Sequence, residues 1–369
     1  MNATTKKIRV LIVDDSAFMR KVLHAIIAAD PQMEVAGQAK DGREAISMAE
    51  SLKPDVITMD INMPHLDGLQ ATEHIMSQNP RPIVVVSSES REGAASTLIA
   101  LELGAIDFVS KPSSGIDLDM KLVAEDLNRK LKMAAKVRVI RTAARPKHHA
   151  TGGHTAIARE ETSNEPSSGN GSRFPIVVIA ASTGGPATVM QLAAAFPADF
   201  SAAIILVQHM PANFTSQYAI QLADVTEIAV KEAEANETIR PGTLYVCPGS
   251  HHLRVSSLGH ILLDDGPRIA GYRPCADVAM ETAAKWAGPM TVGIVLTGMG
   301  NDASRGAQAI RAEGGIVIAQ DEATSVIFGM PAEAIKTGAV NQVLPLDQIV
   351  PVTDKHVREL ARSLQGALR

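Results

Sequence analysis

Short runs rich in Ile, Val and Ala recur along this chain, and each gives way to a longer stretch with helical spacing of apolar residues. That alternation leaves few folds open. A continuous apolar run suits a strand covered on both faces, and a helix after each strand supplies the cover. The result is an α/β architecture built on a parallel sheet. In residues 8–136 strands are expected at Ile8–Val13, Glu34–Gly37, Asp55–Met59, Ile83–Val86 and Asp107–Val109. Helical patterns fall at Phe18–Ala29, Gly42–Leu52, Gly68–Gln78, Ala94–Leu103 and Leu118–Ala135. Such a series predicts a flavodoxin-like, doubly wound sheet over residues 1–136.

The pattern fails between 137 and 172, where ARPKHHATGGH is followed by the polar ETSNEPSSGNGS. A flexible linker is expected there. Alternation resumes over 173–369. Strands are expected at Ile176–Ala180, Ala203–Val207, Ile228–Lys231, Leu244–Cys247, Thr291–Leu296 and Ile316–Ala319. Helices are expected at Ala187–Phe196, Phe214–Ala223, Ala276–Trp286, Gly306–Ala312 and Pro331–Lys336. Residues 244–263 read as a hairpin. The second unit is therefore expected to be a doubly wound, mostly parallel α/β sheet with an antiparallel edge hairpin.

Bulk properties exclude several classes of function. A length of 369 residues suits roughly two to three domains. The net charge of -5 argues against a broad nucleic-acid surface. Two cysteines, Cys247 and Cys275, are too few for a disulfide scaffold or a structural zinc site. No apolar run reaches spanning length and the first residues do not resemble a signal peptide, so a cytoplasmic location is expected.

Acidic residues crowd the strand ends of the first unit. Asp14 and Asp15 follow the first strand, and Asp60 follows the third. In a doubly wound sheet these ends meet in one crevice. Three carboxylates there repel each other unless a cation lies among them, and oxygen-only ligands favour Mg²⁺. Ser87 offers a hydroxyl to a phosphoryl oxygen, and Lys111 a cation. Singly, Asp14 or Lys111 reads as a solvated turn residue; the group together points to phosphoryl chemistry. The segments VDDS (13–16), MDINMP (59–64), Ser87 and SKP (110–112) resemble the response-regulator receiver domain of two-component systems. The resemblance implies that Asp60 is the phosphoacceptor and that Asp15, Asp60 and the Asn62 carbonyl hold Mg²⁺, with Asp14 acting through water. It places Phe108 as the switch aromatic, and implies a histidine kinase as phosphodonor.

The second unit carries a serine at a sharp turn. In FPIVVIAASTGGP (174–186) an apolar strand ends in Ser182, two glycines and a helix-opening Pro186. Free amides at such a helix start can hold negative charge. His209 and Asp302 follow two other strands of the same sheet. All three stand on one rim, where Ser182 can act as nucleophile, His209 as base and Asp302 as the group that orients it. The turn does not meet G-x-S-x-G, and the order Ser…His…Asp differs from that of α/β-hydrolases. Backbone amides of Thr183 and Met299 are the candidate oxyanion donors. An anion-cradling turn is the weaker reading, because a P-loop lysine is lacking.

The set ASTGGP (181–186), QHMP (208–211) and GMGNDA (298–303) resembles the catalytic domain of chemotaxis protein-glutamate methylesterases, as do RPCADVAM (273–280) and FGMPAEA (328–334). With the receiver-like segments, the resemblance covers nearly the whole chain. It implies phosphorylation-activated hydrolysis of γ-glutamyl methyl esters on methyl-accepting chemoreceptors, with release of methanol and with glutamine deamidation as a second activity. No cofactor is expected for the esterase, and membrane association only through the receptors. The alternative is a non-catalytic, phospho-dependent receptor-binding regulator. Ala303 stands where the family usually has glycine, a departure expected to leave the chemistry intact. Cys275 reads as packing, Arg273 as an exposed rim residue, and His251 and His252 as hairpin residues rather than metal ligands.

Overall fold

The computed structural model describes residues 6–88, 90–111, 117–137 and 173–367. The expected linker lies outside the described residues except for Val137, and so does Pro112.

The first unit is a five-stranded parallel sheet in the order β2-β1-β3-β4-β5. Its strands are β1 (Ile8–Val13), β2 (Met33–Ala39), β3 (Val56–Met59), β4 (Ile83–Ser87) and β5 (Asp107–Ser110). Between and after them run α1 (Ala17–Ala28), α2 (Gly42–Leu52), α3 (Gly68–Gln78), α4 (Arg91–Glu102) and α5 (Asp117–Ala134). The flavodoxin-like order is the one expected. α4 begins three residues before the expected Ala94, because Ser90 caps it: its hydroxyl oxygen accepts the Gly93 amide at 3.0 Å. β2 runs from Met33 to Ala39 rather than from Glu34 to Gly37, since it pairs with β1 along its whole length despite an irregularity at Val10 and Leu11.

The second unit contains β6 (Ile176–Ala181), α6 (Gly185–Ala193), β7 (Ala203–Gln208), α7 (Ala212–Val225), β8 (Ala229–Glu232) and β9 (Thr243–Val246). It continues through β10 (His252–Val255), β11 (Ile261–Asp264), α8 (Ala276–Ala287), β12 (Thr291–Val295), α9 (Ser304–Ala312) and β13 (Ile316–Gln320). It ends with α10 (Met330–Lys336), β14 (Gln342–Leu344) and α11 (Leu346–Ala367). Seven strands form one parallel sheet in the order β14-β13-β12-β6-β7-β9-β8. The antiparallel hairpin is present as β10 and β11, but it forms a separate two-stranded sheet rather than an edge of the main one. β9, expected as the first arm of that hairpin, instead pairs in parallel with β7 and β8.

Strand order in the main sheet reverses between the parallel neighbours β6 and β12, which pair residue for residue from Ile176 and Thr291. The crevice at that switch point is where an open α/β sheet binds its ligand. β6 is wholly buried, and each of its Val and Ile side chains contributes roughly 1.5–3 kcal/mol by leaving water. It therefore holds the residues at its end firmly.

The two units touch. α4 packs against α6 and α7. The Phe108 ring of β5 stacks on Phe214 of α7, with centroids 4.4 Å apart. The Gly184 amide donates to the Ile106 carbonyl at 3.2 Å.

Candidate active site

Ser182 follows β6 directly and is almost fully buried, at 9% exposure. Its turn is pinned from several sides. The Ser182 amide donates to the Thr297 carbonyl at 3.1 Å, and the Ser182 carbonyl accepts from Gly185 N–H at 2.8 Å and from Gln208 Nε2 at 2.9 Å. Gly184 has φ +74°, and a Cβ there would lie 2.5 Å from Val326 Cβ, so only glycine fits. Pro186 then lies within the first turn of α6. The GMG turn comes equally close: a Cβ on Gly298 would stand 2.8 Å from Ser182 Cβ.

His209, just past β7, is joined to Asp302 by a 2.7 Å contact between Nε2 and Oδ2. Asp302 is 2% exposed and heavily bonded. Its Oδ2 also accepts the Ala276 amide at 2.7 Å, and its Oδ1 accepts the amides of Asp277 and Ala303, each at 2.9 Å. Burial by itself would raise the Asp302 pKa, but the hydrogen bond and charge of His209 and the α8 amides outweigh it and hold the carboxyl down at about 2. The carboxylate thus stays charged and fixes the imidazole. His209 Nδ1 is buried and has no hydrogen-bond partner. In the serine-protease arrangement the aspartate takes Nδ1 and leaves Nε2 for the serine. Here the aspartate takes Nε2, and Nδ1 is the nitrogen left for a proton transfer.

The structure therefore brings His209 and Asp302 into contact and places Ser182 on the same rim, at the switch point. It also assigns Cys275 more than packing. Its thiol donates to Asp302 Oδ1 at 3.2 Å, and burial, with the Asp302 charge behind it, pushes the thiol up to about 12. Thr297 and Gln208 were not singled out from the sequence, yet both hold the serine turn; Thr297 Oγ1 donates to the Thr183 carbonyl at 3.0 Å. Their only sequence signal is position: Gln208 opens the QHMP motif, and Thr297 immediately precedes GMGNDA. Ala303 has φ +75° at the start of α9, a left-handed conformation that explains a glycine there.

The expectation for Arg273 changes. Arg273 is half-buried, and it donates to the carbonyls of Asp265 and Gly266 at 2.7 and 2.9 Å, so it stabilises its own loop. His252 is buried beside the Pro267 carbonyl, His251 bonds Ser250, and Asp264 pairs with Arg254. The Thr183 side chain, next to a candidate oxyanion amide, donates to Asp107 of β5 at 2.6 Å. Arg129 of α5 reaches Met299 Sδ at 3.7 Å.

In the first unit, carboxylate oxygens of Asp14, Asp15 and Asp60 lie within 4.8 Å of one another. Asp14 and Asp60 are buried, and Asp15 is exposed. Lys111 Nζ lies 2.9 Å from Asp14 Oδ2 and 2.8 Å from Asp60 Oδ2. Burial raises the Asp60 pKa; Lys111 opposes this, and Asp14 and Asp15 add to it. A carboxylate kept short of compensating charge, with two more beside it and an open side at Asp15 and the exposed Asn62, fits a divalent cation bound by oxygen. Ser87 is buried, and its hydroxyl donates to the Gly93 carbonyl at 3.2 Å. Phe108 is buried in the stack on Phe214 rather than turned to solvent.

Comparison with known proteins matches both segments of the chain. Residues 10–123 match the response regulator receiver domain model, and residues 177–352 match the CheB methylesterase model. A protein-glutamate methylesterase/protein-glutamine glutaminase of Pyrococcus abyssi is 45% identical over 98% of this chain and 96% of its own. One from Symbiobacterium thermophilum is 42% identical over 96% of this chain and 98% of its own. The crystal structure of the Thermotoga maritima CheB methylesterase catalytic domain matches 50% of this chain and 99% of its own, at 38% identity and a TM-score of 0.49. A receiver segment, a methylesterase segment and near full-length identity of this order leave one assignment: the chain belongs to the protein-glutamate methylesterase/protein-glutamine glutaminase family.

Proposed function

We propose that this protein hydrolyses γ-glutamyl methyl esters on methyl-accepting chemoreceptors, and deamidates receptor glutamines, under control of phosphorylation at Asp60. One observation carries the reading: a buried, ionised Asp302 grips His209 Nε2 and leaves Nδ1 without a partner on the rim that bears Ser182. His209 Nδ1 takes the proton as Ser182 Oγ attacks the ester carbonyl. The amides of Thr183 and Met299 receive the oxyanion. The imidazolium, stabilised by Asp302, returns the proton to the departing methoxide, and methanol leaves. Water then repeats the sequence on the acyl-serine and frees the glutamate. With a glutamine side chain the leaving group is ammonia.

Residues 1–136 form the receiver, 137–172 the linker and 173–369 the esterase in this reading. Magnesium, held by Asp15, Asp60 and the Asn62 carbonyl with Asp14 through water, would supply the charge that steadies the phosphoryl group. Lys111 pairs with that group and Ser87 donates to it. A chemotaxis histidine kinase is the donor. Ile106, Asp107 and Phe108 press on the serine turn and on α7, which supports a receiver that covers the esterase until phosphorylation draws Ser87, Phe108 and Lys111 toward Asp60. Among the described residues no helix is long and apolar enough to cross a membrane. In this reading the protein is cytoplasmic and meets the membrane through its receptors.

The test is methanol release from methyl-labelled receptor membranes by wild type and Ser182→Ala, with and without a phosphodonor. Release by wild type alone, raised by the phosphodonor, is the expected result. No release from either overturns the esterase reading and favours a phospho-dependent regulator that binds receptors without chemistry.

A further inference from the structure

Tyr272 touches both halves of the catalytic apparatus with one side chain. Its ring stacks on His209 with centroids 4.4 Å apart and planes 16° from parallel. Its hydroxyl donates to the Met299 carbonyl at 3.4 Å. The GMG turn is shaped around that hydroxyl: Gly300 has φ +94°, and a Cβ there would lie 2.0 Å from Tyr272 Oη. Tyr272 is itself held, since its amide and carbonyl both bond Ile269 across a turn with positive φ at Ala270 and Gly271.

The geometry has a specific consequence for His209. Asp302 restrains the ring at the single atom Nε2. One hydrogen bond sets a distance but leaves the imidazole free to swing about it. A flat neighbour against the ring face removes that freedom. The same π face favours the imidazolium that forms when Nδ1 takes a proton.

We propose that Tyr272 is a positioning residue for ester hydrolysis. Its ring sets the plane of His209 and its hydroxyl sets Met299, so that base and oxyanion donor address the same carbonyl. This inference rests on the esterase reading above and assigns a role to a residue outside the triad.

The experiment uses the full chain, with Mg²⁺ and a phosphodonor, on methyl-labelled receptor membranes. Wild type, Tyr272→Phe and Tyr272→Leu are compared, with Ser182→Ala as the zero. Misplaced catalytic groups cost up to about 100-fold, so Tyr272→Leu is expected to lower kcat roughly 10- to 100-fold while KM changes less than about threefold. Tyr272→Phe keeps the stack and should recover most of that loss, remaining severalfold below wild type because the hydroxyl is gone. A kcat for Tyr272→Leu equal to wild type, a loss in KM alone, or no recovery by Tyr272→Phe overturns the proposal. Melting curves accompany each variant. Should Tyr272→Leu not fold, Tyr272→Phe decides alone, and a kcat equal to wild type overturns the role of the hydroxyl. Wild type no more active than Ser182→Ala removes the esterase reading and this inference together, a result none of the Tyr272 variants can mimic.

Discussion

The Asp107 carboxylate accepts a hydrogen bond from the Thr183 hydroxyl at 2.6 Å, in a buried contact that joins the end of the receiver sheet to the residue beside Ser182. Asp107 immediately precedes Phe108, the proposed switch aromatic, and its other oxygen faces Lys130 Nζ at 3.2 Å. A movement of Phe108 therefore cannot leave the serine turn untouched.

Asp107→Ala removes the acceptor. A hydrogen bond to a charged group contributes about 1.5–3 kcal/mol, so the closed arrangement should lose roughly a factor of ten or more. Unphosphorylated Asp107→Ala should release methanol about tenfold faster than wild type, with phosphodonor stimulation reduced to match. Asp107→Asn keeps an acceptor and should stay near wild type. Equal basal rates for Asp107→Ala and wild type would show that this contact does not restrain the esterase.

Asp60→Asn should retain the basal esterase rate and lose all response to acetyl phosphate. A chelator should have the same effect on wild type, because the crowded carboxylates of Asp14, Asp15 and Asp60 need a cation before a phosphoryl group can join them. An acid-stable label that persists in Asp60→Asn would place the phosphoryl group elsewhere.

Acid should expose the debt of Asp302 to its partners. Its pKa is depressed from the ordinary 3.8 to about 2 in the folded chain. A depressed carboxyl contributes stability that is present above pH 3.8 and is lost as pH falls toward 2. The difference corresponds to about 2 kcal/mol. Urea unfolding of wild type and Asp302→Asn across that window should therefore converge by about this amount. Curves that stay parallel would mean that Asp302 is not held by His209 and the α8 amides.

Ala303→Gly should stabilise the protein. Ala303 is buried at φ +75°, where a Cβ costs roughly 1–2 kcal/mol, partly offset by the greater freedom of glycine when unfolded. A net gain of about 1 kcal/mol would raise the melting temperature of this unit by about 2–4 °C. Activity should not change, because the amide that bonds Asp302 is present in either residue. A lower melting temperature would contradict the strain.

Much of the fold was legible because both units repeat strand and helix with uninterrupted apolar runs, and every strand of the two parallel sheets up to β13 lies within a few residues of its expected place. The last two elements, β14 and α11, were not. β14 is three residues long and largely exposed, and α11 carries Pro351 in its second turn, where a helix is expected to stop. The hairpin was seen, but its separation from the main sheet was not. Nothing in the apolar run of β9 distinguishes an antiparallel partner next in sequence from the parallel neighbours β7 and β8.

By itself the sequence determined which residues stand at strand ends: Asp14, Asp15 and Asp60 in one unit, and Ser182, His209 and Asp302 in the other. Strand ends follow from local patterning, and a doubly wound sheet gathers them into one crevice. Only the tertiary structure decided how those residues meet. That Asp302 takes Nε2 of His209 rather than Nδ1, that Tyr272 lies flat on the same ring, and that Asp107 holds Thr183 are contacts between residues 93, 63 and 76 positions apart. Each depends on the distance and angle between elements packed from different parts of the chain, and no periodicity within a single element encodes those quantities.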